Sequence, residues 1–457
     1  MTFRTTLISL VVASLLGCSS GNRTDYVDQA QTSNEQTIEQ LVSKLVDVQS
    51  PSDEPLQAIT DLVNIPALAP YLAAAMENNP SLQQSIVALK MAYAQHGITA
   101  ANQWPTLSAG LSGEQTEGSD ESYTGELNVS WELDIWRQLA DSSAAAQKDI
   151  AATQASLQAA KDLLAANVMR GWLEISVNKQ LLDIEQRRLD ILENNEVLVL
   201  ERYKVGLGSL EELDSAKTNS SSTRATVAEY RENLAQSQRN LALLTGLRDH
   251  QLSGDEVPAV FATVLNPLDS LGVQNMAGRP DLQQAFYNIE AEALRTDATY
   301  KAMLPSFSLS ASLTDLAQTP SEALLTNPVW SVLGQISAPL FQGGKLKSQA
   351  ELAELTTEQT YWVYQQTLLD AVSEVETAVG QEHALEKQQQ HLESALQSAR
   401  RSVESYEQKY REGLVDIFDL LTVQQQAYDI EAQLTSATYQ RLLNRIDLGL
   451  ALGLGVS

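Results

Sequence analysis

The chain has 457 residues, with 58 acidic side chains against 30 basic ones and a formal net charge of −28. That balance excludes nucleic acid as a partner, which needs a basic surface, and suits high solubility and the passage of cationic or neutral molecules. Cys18 is the single cysteine, so disulfides are excluded and stability must come from packing.

Residues 1–17 carry one positive charge, Arg4, then an apolar run from Leu7 to Leu16 that ends in Leu15-Leu16-Gly17-Cys18. This is the lipoprotein form of an export signal. Cleavage leaves Cys18 first, with lipid on its sulfur and amine. The run is too short to span a bilayer comfortably as a helix. Ser19 follows in place of an inner-membrane-retaining aspartate, which favours the outer membrane. Residues 18–55 are rich in Ser, Thr, Asn, Gln and acids and read as a lipidated tether. One amphipathic piece, Ile38 to Val46, wraps onto the body. Beyond the signal no stretch of about 20 apolar residues remains, so a membrane crossing must be made by strands.

The rest of the chain is one unit written twice, residues 56–255 and 256–457. Pro80 matches Pro280, Leu82-Gln83-Gln84 matches Leu282-Gln283-Gln284, and Pro105 matches Pro305. From Ser130 the offset grows by seven residues: Ser130-Trp131-Glu132-Leu133 faces Ser337-Ala338-Pro339-Leu340, and Thr245-Gly246-Leu247 faces Leu452-Gly453-Leu454. Each unit opens with a helix, Pro80 to Gln103 in the first, with proline at the position where a missing N–H costs nothing. Two period-two segments follow. Leu107, Ala109 and Leu111 are apolar in the first, and Leu127, Val129 and Trp131 in the second. Their counterparts are Phe307, Leu309, Ala311 and Leu313, then Trp330, Val332, Ile336, Ala338 and Leu340.

A long helix comes next, Leu139 to Lys204 and again Leu346 to Arg411, spanning on the order of 100 Å. A glycine turn ends it, and a shorter helix runs from Ser209 to Leu244 and from Asp416 to Leu450. The helix after the turn and the helix before the strands together match the long one. Each unit is therefore one long helix beside two shorter ones stacked end to end, running antiparallel across the tight turn. Val168, Ile175, Leu182 and Leu189 form one heptad stripe; Val177, Ile184, Ile191 and Leu198 form another on nearly the opposite side. Two stripes suit a helix with a neighbour on each side, as in a ring or an ordinary bundle core. Four strands leave open edges, which lipid does not tolerate. Two copies give 8 strands, which pack shut, and three give 12, enough for a pore.

The turns repeat closely. Residues 202–216 read RYKVGLGSLEELDSA and residues 409–423 read KYREGLVDIFDLLTV. Tyr203 matches Tyr410, Gly206 matches Gly413, Leu207 matches Leu414 and Glu212 matches Asp419. Ser209 to Glu212 reads as a capping box, and Asp416 with Asp419 as a cap plus a first-turn acid. The acids serve as caps alone, or as caps that also line a pore.

Together, the lipoprotein signal, the doubled helix starts, the WELDIWRQL and PLFQGGKL junctions and the paired Tyr-x-x-Gly-Leu turns resemble the TolC-type outer-membrane factor family. The resemblance covers residues 56–455 and is closest to the lipoprotein members that serve drug-exporting pumps. It implies a mainly α fold with a small β part. A homotrimer would combine a 12-stranded outer-membrane barrel with a periplasmic tunnel of long helices. It implies docking on a periplasmic membrane-fusion adaptor and a proton-driven inner-membrane pump, contact with outer-membrane lipid, no catalysis, no cofactor and no bound metal. By the same resemblance, Glu212, Asp416 and Asp419 would narrow a closed, cation-selecting entrance. Tyr203, Val205, Gly206, Leu207, Tyr410, Gly413 and Leu414 would form the adaptor-docking tips. Val415 stands where some members carry a latch arginine, although Arg202, Lys204, Lys409 and Arg411 lie close by. The four histidines, His96, His250, His383 and His391, sit in no ligand-spaced cluster, and the six methionines are scattered. Competing readings are the outer component of one-step protein secretion, metal-cation efflux, and a non-porous envelope spacer of coiled helices. The four alternating segments argue against the spacer.

Overall fold

The computed structural model describes residues 24–45, 58–59, 63, 65, 68–118, 120–246, 257–259, 261, 276 and 278–455. Cys18 and the beginning of the tether lie outside them. The elements are α1 (Tyr26–Leu45), α2 (Ala69–Asn78), α3 (Pro80–Ala101), β1 (Thr106–Glu114), β2 (Ser122–Leu133), α4 (Gln138–Lys204) and α5 (Leu210–Thr245). The second series is α6 (Pro280–Lys301), β3 (Ser306–Ala317), β4 (Val329–Ser337), α7 (Lys345–Arg411) and α8 (Ile417–Ala451). No helix among the described residues is long and apolar enough to cross a membrane.

Three boundaries differ from expectation. The alternation read on to Leu340 stops at Ser337, because Pro339 has no N–H to give a ladder. The tether carries a helix that starts at Tyr26, well before Ile38, and α2 precedes the Pro80 helix. Tyr26 anchors α1: its ring centroid lies 5.3 Å from that of Tyr361, which in turn lies 5.2 Å from Trp362.

The chain divides into two compact units that both draw on both repeats. The first includes Gln95–Asp149 and Ala285–Gln365 and holds the sheet. Its order is β1-β2-β3-β4, antiparallel throughout. The register lines up apolar side chains across all four strands. Leu107, Val129, Ala311 and Val332 form one row, and Ala109, Leu127, Leu313 and Trp330 the next. The opposite face carries rows such as Ser108, Asn128, Ser312 and Ser331. The sheet is thus apolar on one side and hydroxyl- and amide-lined on the other, as its period of two requires. β1 and β4 are exposed along their whole length, so both edges are free.

Asp315 breaks the apolar face, and the β3–β4 loop explains it. Its carboxylate accepts from Asn327 N at 2.9 Å and Thr326 Oγ1 at 3.3 Å. A Cβ on its neighbour Gly125 would collide with the carbonyl of the buried Ala323, so only glycine leaves room for the returning loop. Below the sheet, Lys148–Glu290, Arg295–Asp149 and Lys301–Asp141 tie α4 to α6.

The second unit includes Ile38–Ala94, Ile150–Gln284 and Gln366–Ser457. Here α4 has a neighbour on each side. Toward α5, Asn178 donates to Ser237 Oγ at 3.3 Å. Toward α8, Arg187 pairs with Glu431 at 2.9 Å and Arg170 with Asp447. Both apolar stripes are used: Val168, Ile175, Leu189, Val177 and Ile184 are buried, and Leu198 alone among the eight is exposed. End-to-end stacking is visible in two matched bonds. Asn79 Nδ2 donates to Leu244 O, the last turn of α5, at 2.9 Å. Arg279 Nη1 donates to Ala451 O, the same place on α8, at 3.0 Å.

Candidate functional site

The two hairpin tips are built alike. Gly206 has φ 76° and Gly413 has φ 72°, a conformation that costs an L side chain but not glycine. At the first tip, Gly206 N donates to Tyr203 O at 3.0 Å and Leu207 N to Arg202 O at 2.9 Å. At the second, Gly413 N donates to Tyr410 O and Leu414 N to Lys409 O at the same two distances. This is the Schellman pattern, which satisfies the last carbonyls of each long helix. No atom lies within 4 Å of where a Cβ would stand on either glycine. The glycines are therefore required by backbone shape and not by crowding.

Next comes the acidic side of each turn. Ser209 Oγ accepts from Glu212 N at 3.1 Å, and Glu212 Oε2 accepts from Ser209 N at 3.2 Å. In the second tip Asp416 Oδ1 accepts from Phe418 N at 2.8 Å and Asp419 N at 2.9 Å, while Asp419 Oδ2 accepts from Asp416 N at 3.4 Å. Glu212, Asp416 and Asp419 are thus all members of capping boxes. Each uses one carboxylate oxygen in the bonds named. Asp416 and Asp419 are exposed and Glu212 is half-buried. Sequence reasoning passed over Glu211. Its carboxyl is held below the usual carboxylate range, first by its backbone N–H and then by Ser209. The signal was there in the acid pair that follows the N-cap serine by two and three residues.

The tips also present apolar surface. Val205 and Leu207 are 68% and 72% exposed and Leu414 is 68% exposed, with Tyr203 and Tyr410 open as well. Leu210, which the sequence reading did not single out, extends the patch. Just behind it, Val199, Leu213 and Ala216 form a small buried core that stiffens the first tip. Basic residues flank the turns: Arg202 Nη2 donates to Leu207 O at 3.3 Å, and Lys409 lies 5.2 Å over the Tyr406 ring. Val415 itself is half-buried. Among the described residues no His, Cys, Asp and Glu group could hold a metal ion.

Comparison with known proteins bears on the whole chain. The model of the family described as outer membrane efflux protein matches residues 71–247 and 271–454. The probable outer membrane lipoprotein SilC of Salmonella typhimurium is 26% identical over 405 residues, covering 85% of this chain and 86% of that one. The cation efflux system protein CusC of Escherichia coli K12 is 25% identical over 392 residues, 84% of this chain and 86% of its own. Among solved structures, the Campylobacter jejuni CmeC outer membrane channel superposes with a TM-score of 0.81 at 19% identity, over 90% of this chain and 92% of that one. This last likeness is one of fold.

Proposed function

The chain belongs to the outer membrane efflux protein family, and we propose that it is the exit duct of a tripartite efflux system whose periplasmic mouth is formed by the two hairpin tips. It is an outer-membrane channel protein, with strands for the membrane and long helices for the periplasm. Three copies supply 12 strands and leave no free edge, which the open β1 and β4 require in lipid. Cys18 carries the lipid anchor. The duct catalyses no reaction and holds no cofactor.

The observation that carries this reading is the duplicated tip: one turn geometry, made twice, with the matched Tyr203 and Tyr410 and the matched Leu207 and Leu414 held open to solvent. A helix end that served only folding would cover Val205, Leu207 and Leu414. Here they await a partner, a periplasmic membrane-fusion adaptor joined to a proton-driven inner-membrane pump. Tyr203, Val205, Gly206, Leu207, Tyr410, Gly413 and Leu414 make that contact. Glu212, Asp416 and Asp419 cap their helices with one oxygen and face the entrance as a ring of negative charge that favours cations. The cargo is small molecules such as drugs, chosen upstream by the pump. A second reading, metal-cation export, is favoured by the similarity to a cation efflux protein.

Photo-crosslinking amino acids at positions 207 and 414 test the docking in intact cells. The expected result is an adduct with a periplasmic adaptor, lost together with efflux in the Leu207→Asp/Leu414→Asp protein while its oligomer survives. Efflux that continues with no tip adduct would overturn the assignment.

A further inference from the structure

One rim of the sheet differs from the rest of this acidic molecule. The strand starts of β1 and β3 and the strand ends of β2 and β4 share one end of the sheet. That end leads into the helices. Around it stand large apolar side chains open to solvent: Trp104 at 72%, Leu340 at 93% and Phe341 at 89% exposure, with Ile135 and Trp136 beside them. Two of the rim's indoles are held in place. Trp131 Nε1 donates to Gln103 O at 3.0 Å, and Trp136 Nε1 donates to Pro305 O at 2.7 Å. Aromatic side chains with one anchored polar tip are the residues that settle at a membrane surface.

Three positive charges stand next to this rim, alongside the exposed Glu132 of β2 and the capping Asp134. Arg137, Lys345 and Lys347 are exposed, and none of them makes an ion pair among the described residues. The lysines are badly placed for the helix itself. They stand in the first turn of α7, which has no acidic residue there, although the helix dipole favours carboxylates at that end. The first repeat does what a helix prefers: Asp134 accepts from Leu139 N at 3.1 Å and Ala140 N at 2.7 Å. In the second repeat the residue matching Asp134 is Phe341, and those matching Gln138 and Ala140 are Lys345 and Lys347. A local rule broken in this way, in a chain of net charge −28, points outside the chain for its compensation.

We infer that this rim binds the headgroups of anionic phospholipids in the leaflet that faces the helices, with Leu340, Phe341 and Trp104 in the acyl boundary and Lys345, Lys347 and Arg137 on the phosphates. The inference rests on the reading of the sheet as the membrane-crossing part. The patch is continuous with the apolar face of the sheet, and its charge is complementary to such lipids and opposite to that of the protein. Interfacial lysines act on anionic lipid over about a Debye length, so the preference is salt-sensitive.

The test uses the full-length lipoprotein in vesicles of zwitterionic phosphatidylcholine with a minority of anionic phosphatidylglycerol. After extraction in mild detergent, the ratio of the two lipids retained on the protein is read by mass spectrometry. Wild type should retain phosphatidylglycerol well above the bulk ratio, and less at high salt. Lys345→Gln/Lys347→Gln should lower that enrichment by about fivefold per lysine. Lys387→Gln, an exposed lysine farther along α7, should leave it unchanged. Equal enrichment in wild type and the double variant would overturn the inference. So would efficient disulfide linking between copies through Phe341→Cys, which would give the patch to a neighbouring protomer. Failure of the wild type to enter vesicles at all, seen by flotation, would instead strike at the reading of the sheet.

Discussion

Position 175 in the first repeat and position 382 in the second occupy the same place on the long helix, and they are filled in opposite ways. Ile175 is fully buried, and the partner helix offers Leu234 and Gln238 at the matching positions. Glu382 is 1% exposed and lies 2.8 Å from both Arg441 Nε and Arg445 Nη2. Asn444 donates to Ala378 O at 2.9 Å beside it, and Arg441 continues to Glu386 at 3.1 Å. One backbone frame therefore closes once with an apolar contact and once with a buried ion network. The apolar version is tolerant of small changes. The ionic version is brittle, because losing one member leaves charge in a dry place. The two repeats share geometry without sharing the interaction that fixes it.

The comparison can be broken most sharply at Glu382. Glu382→Ala removes the carboxylate that Arg441 and the buried Arg445 share and should cost about 3–5 kcal/mol. Ile175→Val should cost about 0.5–1.5 kcal/mol. Apparent thermal midpoints in detergent rank the two. Rebuilding the first repeat's solution, Glu382→Ile with Arg441→Leu and Arg445→Gln, should recover most of the loss, since buried ion pairs often break even against apolar residues.

The glycines give the next largest contrast. Gly246 and Gly206 both have positive φ. A Cβ on Gly246 would strike the backbone of Asn78, while Gly206 has open space. Gly206→Ala should therefore show only the left-handed cost of about 1–2 kcal/mol, and Gly246→Ala should exceed it in the same melting assay. Caps come third. Asp416→Ala and Ser209→Ala should each lose about 1 kcal/mol, the former slightly more because Asp416 accepts two N–H bonds.

The smallest effect is a pH effect. Burial pushes the Glu174 carboxyl above its usual range. A raised folded-state value means that its contribution to stability is full below the unfolded pKa and is lost as pH rises through the folded one. The second repeat has Gln381 at this place. Glu174→Gln should raise the melting midpoint near neutral pH and leave it unchanged in mild acid. Asp281 runs the other way. Its burial is outweighed by Arg279, 2.8 Å away, which holds its carboxyl low. Its stabilisation is present above the unfolded value and disappears as pH falls through the folded one.

The repeat, the two turns and the starts of β1, β3 and β4 were legible because each rests on local chemistry: a proline at a helix start, glycine at positive φ, a period of two. The caps on Glu212, Asp416 and Asp419 were legible for the same reason. What escaped depends on residues far apart in the chain. Glu382, Arg441 and Arg445 carry no local signal in the sequence, and only the hairpin brings them together. Asp315 lies beyond Leu313, the last apolar position read in its strand, and its place is set by the loop that returns at Asn327. The start of α1 was missed because Tyr26 owes its place to Tyr361, and nothing near Tyr26 in sequence announces that contact.

The measurement that tests the central claim most directly is single-channel conductance of the full-length lipoprotein in a planar bilayer, for wild type and Asp416→Ala/Asp419→Ala. A duct with a ring of capped acids at its mouth predicts a small, cation-selective wild-type conductance whose selectivity falls in the double variant. An unchanged permeability ratio would reduce those acids to helix caps, and no conductance from intact oligomers would contradict the duct itself.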